Sequence, residues 1–186
     1  KNFSKKYKMR YRKFSDLGWD VSEIGLGCWQ IGWCWGDVVS ERDSRELLQK
    51  ALDKGINFFD TSDTYGDGRS EKFLGELIKS TSEKIFVATK SGRRLNPHTP
   101  GGYNLKNIEE FIDRSLINLG IDCIDLLQLH CPPSEICPKK ETYEMMDEIV
   151  KLGKIANYGV SVEKVSEAMD AIQFPNVKSI QIVFNI

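Results

Sequence analysis

Short apolar runs and amphipathic stretches alternate along most of the chain. A short run that is apolar throughout is typical of a buried parallel strand, whereas apolar residues spaced three and four apart are typical of a helix packed on a sheet. The runs that we predict as strands are Ile24–Gly27, Ile56–Asp60, Lys84–Lys90, Ile124–His130, Ile155–Val160 and Val177–Phe184.

Helices are predicted between these strands, with polar residues at their starts and glycines at their ends. Ser40, with Asp43 three residues later, resembles a capping box. The other predicted starts are Ser70, Asn104 and about Lys139, and the predicted stops are Gly55, Gly120 and Gly153. A short last helix is predicted from the apolar stripe Val165, Ala168, Met169 and Ile172.

Strict alternation of strands and helices predicts an α/β fold with parallel strands joined by right-handed crossovers. A TIM-type (β/α)8 barrel of about 250 residues uses roughly 31 residues per unit. Here Asp60 to Lys90 spans 30 positions, Lys90 to His130 spans 40, and His130 to Ser161 spans 31. An open sheet fits this count too, but it calls for a G-x-G-x-x-G loop that the early glycines do not form. We therefore favour the barrel.

The predicted barrel is incomplete. We expect about six strand–helix units, with strands seven and eight absent, and an N-terminal β-hairpin formed by 9–14 and 19–23. Residues 1–8 are predicted to be a flexible basic arm and 9–186 a partial barrel domain. Such a piece would leave unpaired strands at both sides of the sheet, which would allow self-association.

Charge and cysteine content narrow the function classes. The formal net charge is -1, which gives no field for nucleic acid or an anionic membrane, so a small-molecule partner is expected. No apolar run approaches the ~20 residues of a membrane helix. The five cysteines are odd in number and contain no C-x-x-C pair, and no usual zinc spacing occurs, so we predict reduced thiols, no metal site and a cytoplasmic protein.

Three of the predicted strands end in a residue that packing alone explains poorly. They are Asp60, Lys90 and His130, and Tyr65 lies in the loop after Asp60. In a barrel all strand C-termini share one face, so these four side chains should converge. A tyrosine in water has a pKa near 10, and proton transfer near neutral pH needs stabilisation of its phenolate on the order of 3 to 4 kcal/mol. Lys90, held by Asp60, can supply it, and His130 can bind the substrate oxygen.

Five segments in order resemble motifs of the aldo/keto reductase family, and the similarity runs from about Arg10 to the last residue. They are G-L-G-C-W at 25–29, G-I-N-F-F-D-T-S-D-T-Y-G at 55–66, A-T-K at 88–90, D-L-L-Q-L-H at 125–130 and G-K-I-A-N-Y-G-V-S at 153–161. The resemblance implies that Asp60, Tyr65, Lys90 and His130 form the catalytic tetrad. It also implies reduction of aldehydes and ketones, and the reverse oxidation, with a nicotinamide cofactor and Tyr65 as general acid or base.

The resemblance extends to the cofactor site and the substrate pocket. NADPH is expected in preference to NADH. The cofactor-binding residues that it implies are Gly27, Cys28, Trp29, Asp60, Ser161 and Gln181. The substrate pocket that it implies is formed by Trp29, Trp33, Tyr65, His130 and Cys131.

Two positions depart from the family pattern. Ser161 is followed by Val162 where the family commonly has asparagine, so one amide contact to the nicotinamide is lost or replaced. Cys131 stands where an aromatic or larger residue is frequent, which alters the pocket wall. Two alternatives to the enzyme stay open at this point: a non-catalytic nicotinamide-binding regulatory subunit on the same scaffold, and an inactive fragment of the enzyme.

Overall fold

The computed structural model describes residues 8–14, 16–32 and 39–184. Its first element is the predicted hairpin, formed by β1 (Tyr11–Phe14) and β2 (Trp19–Ser22), which pair antiparallel. The Trp19 ring stacks on Phe86 at 4.6 Å, and the Phe14 ring stacks on Phe58 at 5.5 Å. Because Phe58 and Phe86 begin two strands of the main sheet, the hairpin covers the N-terminal end of that sheet.

Six parallel strands form the main sheet. Their bounds are β3 (Leu26–Gly27), β4 (Phe58–Asp60), β5 (Phe86–Ser91), β6 (Ile124–His130), β7 (Ile155–Val162) and β8 (Val177–Ile182). Each strand pairs with the next strand along the chain, from β3 to β8. A doubly wound sheet reverses its strand order at a switch point, and this sheet does not. The topology is that of an incomplete barrel, as predicted.

Five helices connect the strands. They are α1 (Glu41–Asp53), α2 (Arg69–Ser80), α3 (Leu105–Leu119), α4 (Lys140–Lys151) and α5 (Val165–Ala171). The predicted caps at Ser40 and Asn104 are confirmed, because each side chain accepts a hydrogen bond from the backbone N–H three residues later. Gly120 ends α3 with a φ of 64°, a left-handed conformation that glycine adopts at little cost.

The predicted cap at Ser70 is wrong. The N-cap of α2 is Gly68, at φ 89°, and Ser70 lies within the first turn of the helix, fully buried. Its hydroxyl donates to the Cys28 carbonyl at 3.0 Å and accepts from the Thr61 hydroxyl at 2.7 Å. Ser70 therefore ties the start of α2 to the loops after β3 and β4, a contact that no local pattern reveals.

One prediction of burial is also wrong: Ile24 is 61 % exposed, and β3 is a partly exposed two-residue strand at one edge of the sheet. Helix α5 forms where predicted, but Val165, Met169 and the C-cap residue Ile172 are each more than half exposed. Within the described ranges no element packs over this face of α5. Helical periodicity marks an apolar stripe, but only the neighbouring elements decide whether it is covered.

The hydrophobic core lies between the outer face of the sheet and the helices. Leu127 and Leu129 of β6 point into it, together with Leu74 of α2, Ile112 of α3 and Met146 of α4, all of which are essentially inaccessible to solvent. No helix in the described part of the chain is long and apolar enough to cross a membrane. Of the predicted flexible arm, only Lys8 falls within the described residues.

Candidate active site

The four predicted catalytic residues meet at the C-terminal edge of the sheet. Asp60 ends β4, Lys90 lies one residue before the end of β5, and His130 ends β6. Tyr65 lies in the loop after β4. Since parallel strands bring their C-terminal ends to one edge, the side chains converge as the spacing predicts.

Lys90 and Asp60 form a tightly closed ion pair. The Lys90 Nζ donates to both carboxylate oxygens of Asp60 at 2.7 Å, and to the Thr61 carbonyl at 2.8 Å. The Lys90 side chain is 2 % exposed and the Asp60 side chain 20 %. Three acceptors therefore satisfy the three donors of the buried ammonium and fix its position.

Tyr65 lies beside this ammonium and beside His130. The Lys90 Nζ is 5.2 Å from the centroid of the Tyr65 ring. The Tyr65 and His130 rings meet edge to face, with centroids 6.0 Å apart. A cation at this distance can stabilise negative charge that develops on the phenol.

A close contact between two glycines holds the loop that carries Tyr65. Gly66 has a φ of 61°, and a Cβ atom added to it would lie 1.7 Å from the Gly32 carbonyl oxygen. A Cβ atom added to Gly32 would in turn lie 2.6 Å from the Tyr65 Cβ. Only glycine fits at either position, and the segment after β3 therefore determines where the Tyr65 backbone lies.

His130 is held through its inner ring nitrogen. Its Nδ1 lies 3.1 Å from the Ser62 hydroxyl oxygen. Burial lowers the pKa of His130 from 6.5 to about 3, and the nearby Lys90 and Arg93 cations add to the effect. The imidazole is neutral near pH 7 and carries one N–H, so its tautomer decides which nitrogen can donate a hydrogen bond.

A cavity of about 340 Å³ opens onto these residues. Its lining residues are Tyr65, Lys90, His130, Cys131, Ser161, Val162, Glu163, Gln181, Ile182 and Val183. The cavity thus joins three of the four predicted catalytic residues to Ser161 and Gln181, two of the predicted cofactor-binding residues. Cys131, predicted in the pocket wall, lines it at a φ of 43°.

The predicted residues after β3 have different environments. Gly27 pairs in register with Asp60. Cys28 is fully buried, and burial raises the pKa of its thiol to about 12, so its side chain is a core residue that does not line the cavity. Trp29 is 41 % exposed and also does not line it. Trp33 lies outside the described residues.

Metal ligation has no support among the described residues, which contain no group of three or more histidine, cysteine, aspartate or glutamate side chains placed to hold an ion.

Comparison with known proteins agrees with this geometry. The model of the aldo/keto reductase family matches residues 23–186. The chain belongs to the aldo/keto reductase family. Its relatives include the aldo-keto reductase YhdN of Bacillus subtilis, 37 % identical over 172 residues that make up 89 % of this chain and 50 % of YhdN. The uncharacterized oxidoreductase YqkF of the same species is 33 % identical over 181 residues, 96 % of this chain and 57 % of YqkF.

Solved aldo/keto reductase structures share the fold. The holo form of the aldo-keto reductase AKR11C1 from Bacillus halodurans superposes with a TM-score of 0.81 at 31 % identity, covering 95 % of this chain and 58 % of that one. The chain spans about half the length of the curated relatives it matches. Members of the family are oxidoreductases that use NAD(P)H.

Residues of this aldo/keto reductase chain fit the carboxamide of a nicotinamide. Ser161 on β7 is in register with Gln181 on β8, and both line the cavity. The Gln181 Oε1 is buried and has no hydrogen-bond partner among the described residues. A buried acceptor without a partner is costly, and a carboxamide NH₂ group would satisfy it.

Two site residues were missed by sequence reasoning. Ser62 contacts His130 across 68 positions of sequence. Asp63 is fully buried, although aspartate is almost never buried without a partner. Their position between Asp60 and Tyr65 was a sequence signal that both could lie near the site. A position in a loop, however, does not reveal which way a side chain points.

Proposed function

We propose that this chain forms the proton-transfer part of an NAD(P)H-dependent reductase of aldehydes and ketones, which also catalyses the reverse oxidation of alcohols. The observation that carries the proposal is the position of the Lys90 ammonium, held on Asp60 at 2.7 Å and 5.2 Å from the Tyr65 ring centroid. An ion pair serving only stability would not need a phenol beside it in a cavity wall.

Tyr65 is the general acid in this proposal. It gives its proton to the carbonyl oxygen during reduction and takes it back during oxidation. Lys90 stabilises the phenolate that remains. Asp60 keeps the Lys90 ammonium charged and correctly oriented, although Lys90 is almost fully buried. His130 donates a hydrogen bond to the same oxygen and holds it next to Tyr65.

The nicotinamide cofactor, when bound, supplies the hydride. Ser161 and Gln181 are the side chains that would hold its carboxamide, and Gly27 lies beside Asp60 where no Cβ atom limits the approach of a ring. Val162 lines the cavity, but its side chain has no hydrogen-bonding group, so it does not replace the amide contact common in the family. We propose NADPH in preference to NADH, with support from the fission-yeast relative named aldo-keto reductase yakc [NADP(+)], 35 % identical over 171 residues.

The substrate is proposed to be a small carbonyl compound. Tyr65, His130 and Cys131 contribute polar and apolar surface to one wall of the cavity. Such a wall suits a substrate with a polar carbonyl group at one end and a short apolar group at the other. Trp29 and Trp33 stay predictions for the outer wall of the pocket.

The test is a turnover assay of the full-length protein with NADPH and a generic aldehyde. Tyr65→Phe removes the donated proton and should lower kcat at least 100-fold, with the NADPH Kd unchanged within about twofold. Tyr11→Phe is the matched control, because the Tyr11 hydroxyl donates to the Gly55 carbonyl on the hairpin side of the domain. Unchanged turnover in Tyr65→Phe would refute the mechanism, and cofactor binding without any turnover in the wild type would favour the regulatory subunit.

A further inference from the structure

A chain of hydrogen bonds leads from His130 to a buried carboxyl group. The Ser62 hydroxyl oxygen lies 3.1 Å from His130 Nδ1 and 3.2 Å from Asp63 Oδ1. Ser62 and Asp63 are both fully buried. The other oxygen of that carboxyl, Oδ2, has no partner within the described ranges. The function proposed above uses none of these atoms.

We propose that Ser62 and Asp63 are positioning residues that set the tautomer of His130, so that Nε2–H faces the substrate oxygen when Asp63 is protonated. The catalytic role of these two residues rests on the function proposed above. The hydrogen-bond directions themselves do not depend on it.

The direction of the chain follows from proton counting. The Ser62 hydroxyl has one proton to donate. If Asp63 is ionised, its Oδ1 can only accept, so Ser62 donates to it and accepts from His130 Nδ1–H. A neutral imidazole then has no proton on Nε2. If Asp63 is protonated, it donates to Ser62, Ser62 donates to Nδ1, and the ring proton lies on Nε2.

Only the second state can hydrogen-bond a carbonyl oxygen through Nε2. The Thr64 hydroxyl, 3.0 Å from Ser62, can only donate to it in either state, because the single Ser62 proton is already used, so Thr64 does not set the direction. The Thr64 N–H donates to Ser62 at 3.3 Å and holds that oxygen in place.

The surroundings of Asp63 extend the pH range over which its carboxyl group is protonated. Burial raises the pKa of Asp63 from 3.8 to about 7, and the Glu71 carboxylate of α2 adds to the rise. The Ser62 hydroxyl and the cations Arg94, after β5, and Arg114, of α3, act in the opposite direction. The Asp63 N–H donates to the Lys90 carbonyl, so β5 contributes backbone at this point. The switch is thus expected near neutral pH.

The experiment is ¹⁵N NMR of the histidine rings, recorded on the full-length protein between pH 5.5 and 8.5. These 186 residues contain two histidines, and His130→Gln identifies the signals of His130. In the wild type we expect Nε2–H below about pH 7 and a shift toward Nδ1–H above it. Asp63→Asn, whose amide can donate at any pH, should keep Nε2–H throughout. Ser62→Ala should remove the pH dependence.

Kinetics provide a second measurement. Loss of one hydrogen bond that orients a group is worth roughly 0.5 to 1.5 kcal/mol, so Ser62→Ala should lower kcat about 2- to 13-fold at pH 6. Ser80→Ala is the matched control, because the exposed Ser80 hydroxyl donates to the Leu77 carbonyl of its own helix.

The inference is overturned if His130 keeps one tautomer across the pH range in the wild type, or if Ser62→Ala and the wild type titrate alike. Because the NMR measurement needs no turnover, this failure is distinct from that of the proposed function. Tyr65→Phe tests the proposed function and leaves the chain from His130 to Asp63 intact.

Discussion

Replacing Lys90 by methionine tests the proposed origin of Tyr65 acidity. Lys90 is 2 % exposed, and its Nζ lies over the Tyr65 ring, 5.2 Å from the centroid. Methionine keeps most of the side-chain volume and removes the charge. The phenolate would then lose its nearby cation while the Asp60 carboxylate remains.

The magnitude follows from Coulomb's law. If the phenolate charge is placed at the ring centroid, 5.2 Å from the Lys90 Nζ, the two charges interact with roughly 3 kcal/mol at an effective dielectric constant of about 20. This energy corresponds to about 200-fold in rate if the phenolate is fully developed in the transition state, and to less if it is partly developed. We expect Lys90→Met to lower kcat for aldehyde reduction between about 10-fold and 200-fold.

A double-mutant cycle separates this effect from misfolding. Lys90→Met alone leaves a partly buried carboxylate without its partner, which typically costs 3 to 5 kcal/mol of stability. Asp60→Asn with Lys90→Met removes both charges, so it should be more stable and lose less activity than Lys90→Met. The assay is kcat at pH 7 for the four proteins, with thermal unfolding as the check on folding. A folded Lys90→Met protein with kcat within threefold of the wild type would refute the reasoning.

Two further predictions concern stability. Gly75→Ala should destabilise the protein by about 1 to 3 kcal/mol, although alanine is the better helix former, because the added Cβ atom would lie 2.5 Å from the Leu119 carbonyl oxygen where α2 crosses α3. Gly101→Ala is the control, because no atom lies within 4 Å of its added Cβ. Equal denaturant midpoints for the two variants would contradict this prediction. The folded protein holds the pKa of His130 at about 3 against 6.5, so stability is lost as pH falls from 6.5 toward 3, by on the order of 4 kcal/mol at the lower end. Urea unfolding of His130→Gln should show a smaller loss over that range, and an identical loss would argue against the neutral buried ring.

The local parts of the fold could be predicted well from the sequence. Helix α3 begins after Asn104 and ends at Gly120, as its caps predict, because capping hydrogen bonds join residues three or four apart. Strand β6 was also predicted correctly, since its bounds Ile124–His130 match the apolar run in the sequence. The convergence of Asp60, Tyr65, Lys90 and His130 was also predictable, since each lies at or near a strand end and parallel strands share one edge.

Contacts between distant segments could not be predicted in this way. Ser70 has the sequence context of a helix cap, yet it is buried against Cys28 and Thr61. The stripe on α5 has the period of a packed helix, yet Met169 is exposed. In each case the outcome depends on which element lies opposite, and this is decided by the whole sheet.

The alternation of strands and helices, the family, and the candidate residues Asp60, Lys90 and His130 at strand ends with Tyr65 in the next loop could all be read from the sequence, because hydrophobic period and motif are properties of neighbouring positions. Tertiary structure alone decided that Gly32 and Gly66 fix the Tyr65 loop and that Ser62 joins His130 to a buried Asp63. The physical reason is that a side chain's burial and hydrogen-bond partner are set by groups from other strands, which come within reach only when the sheet has formed.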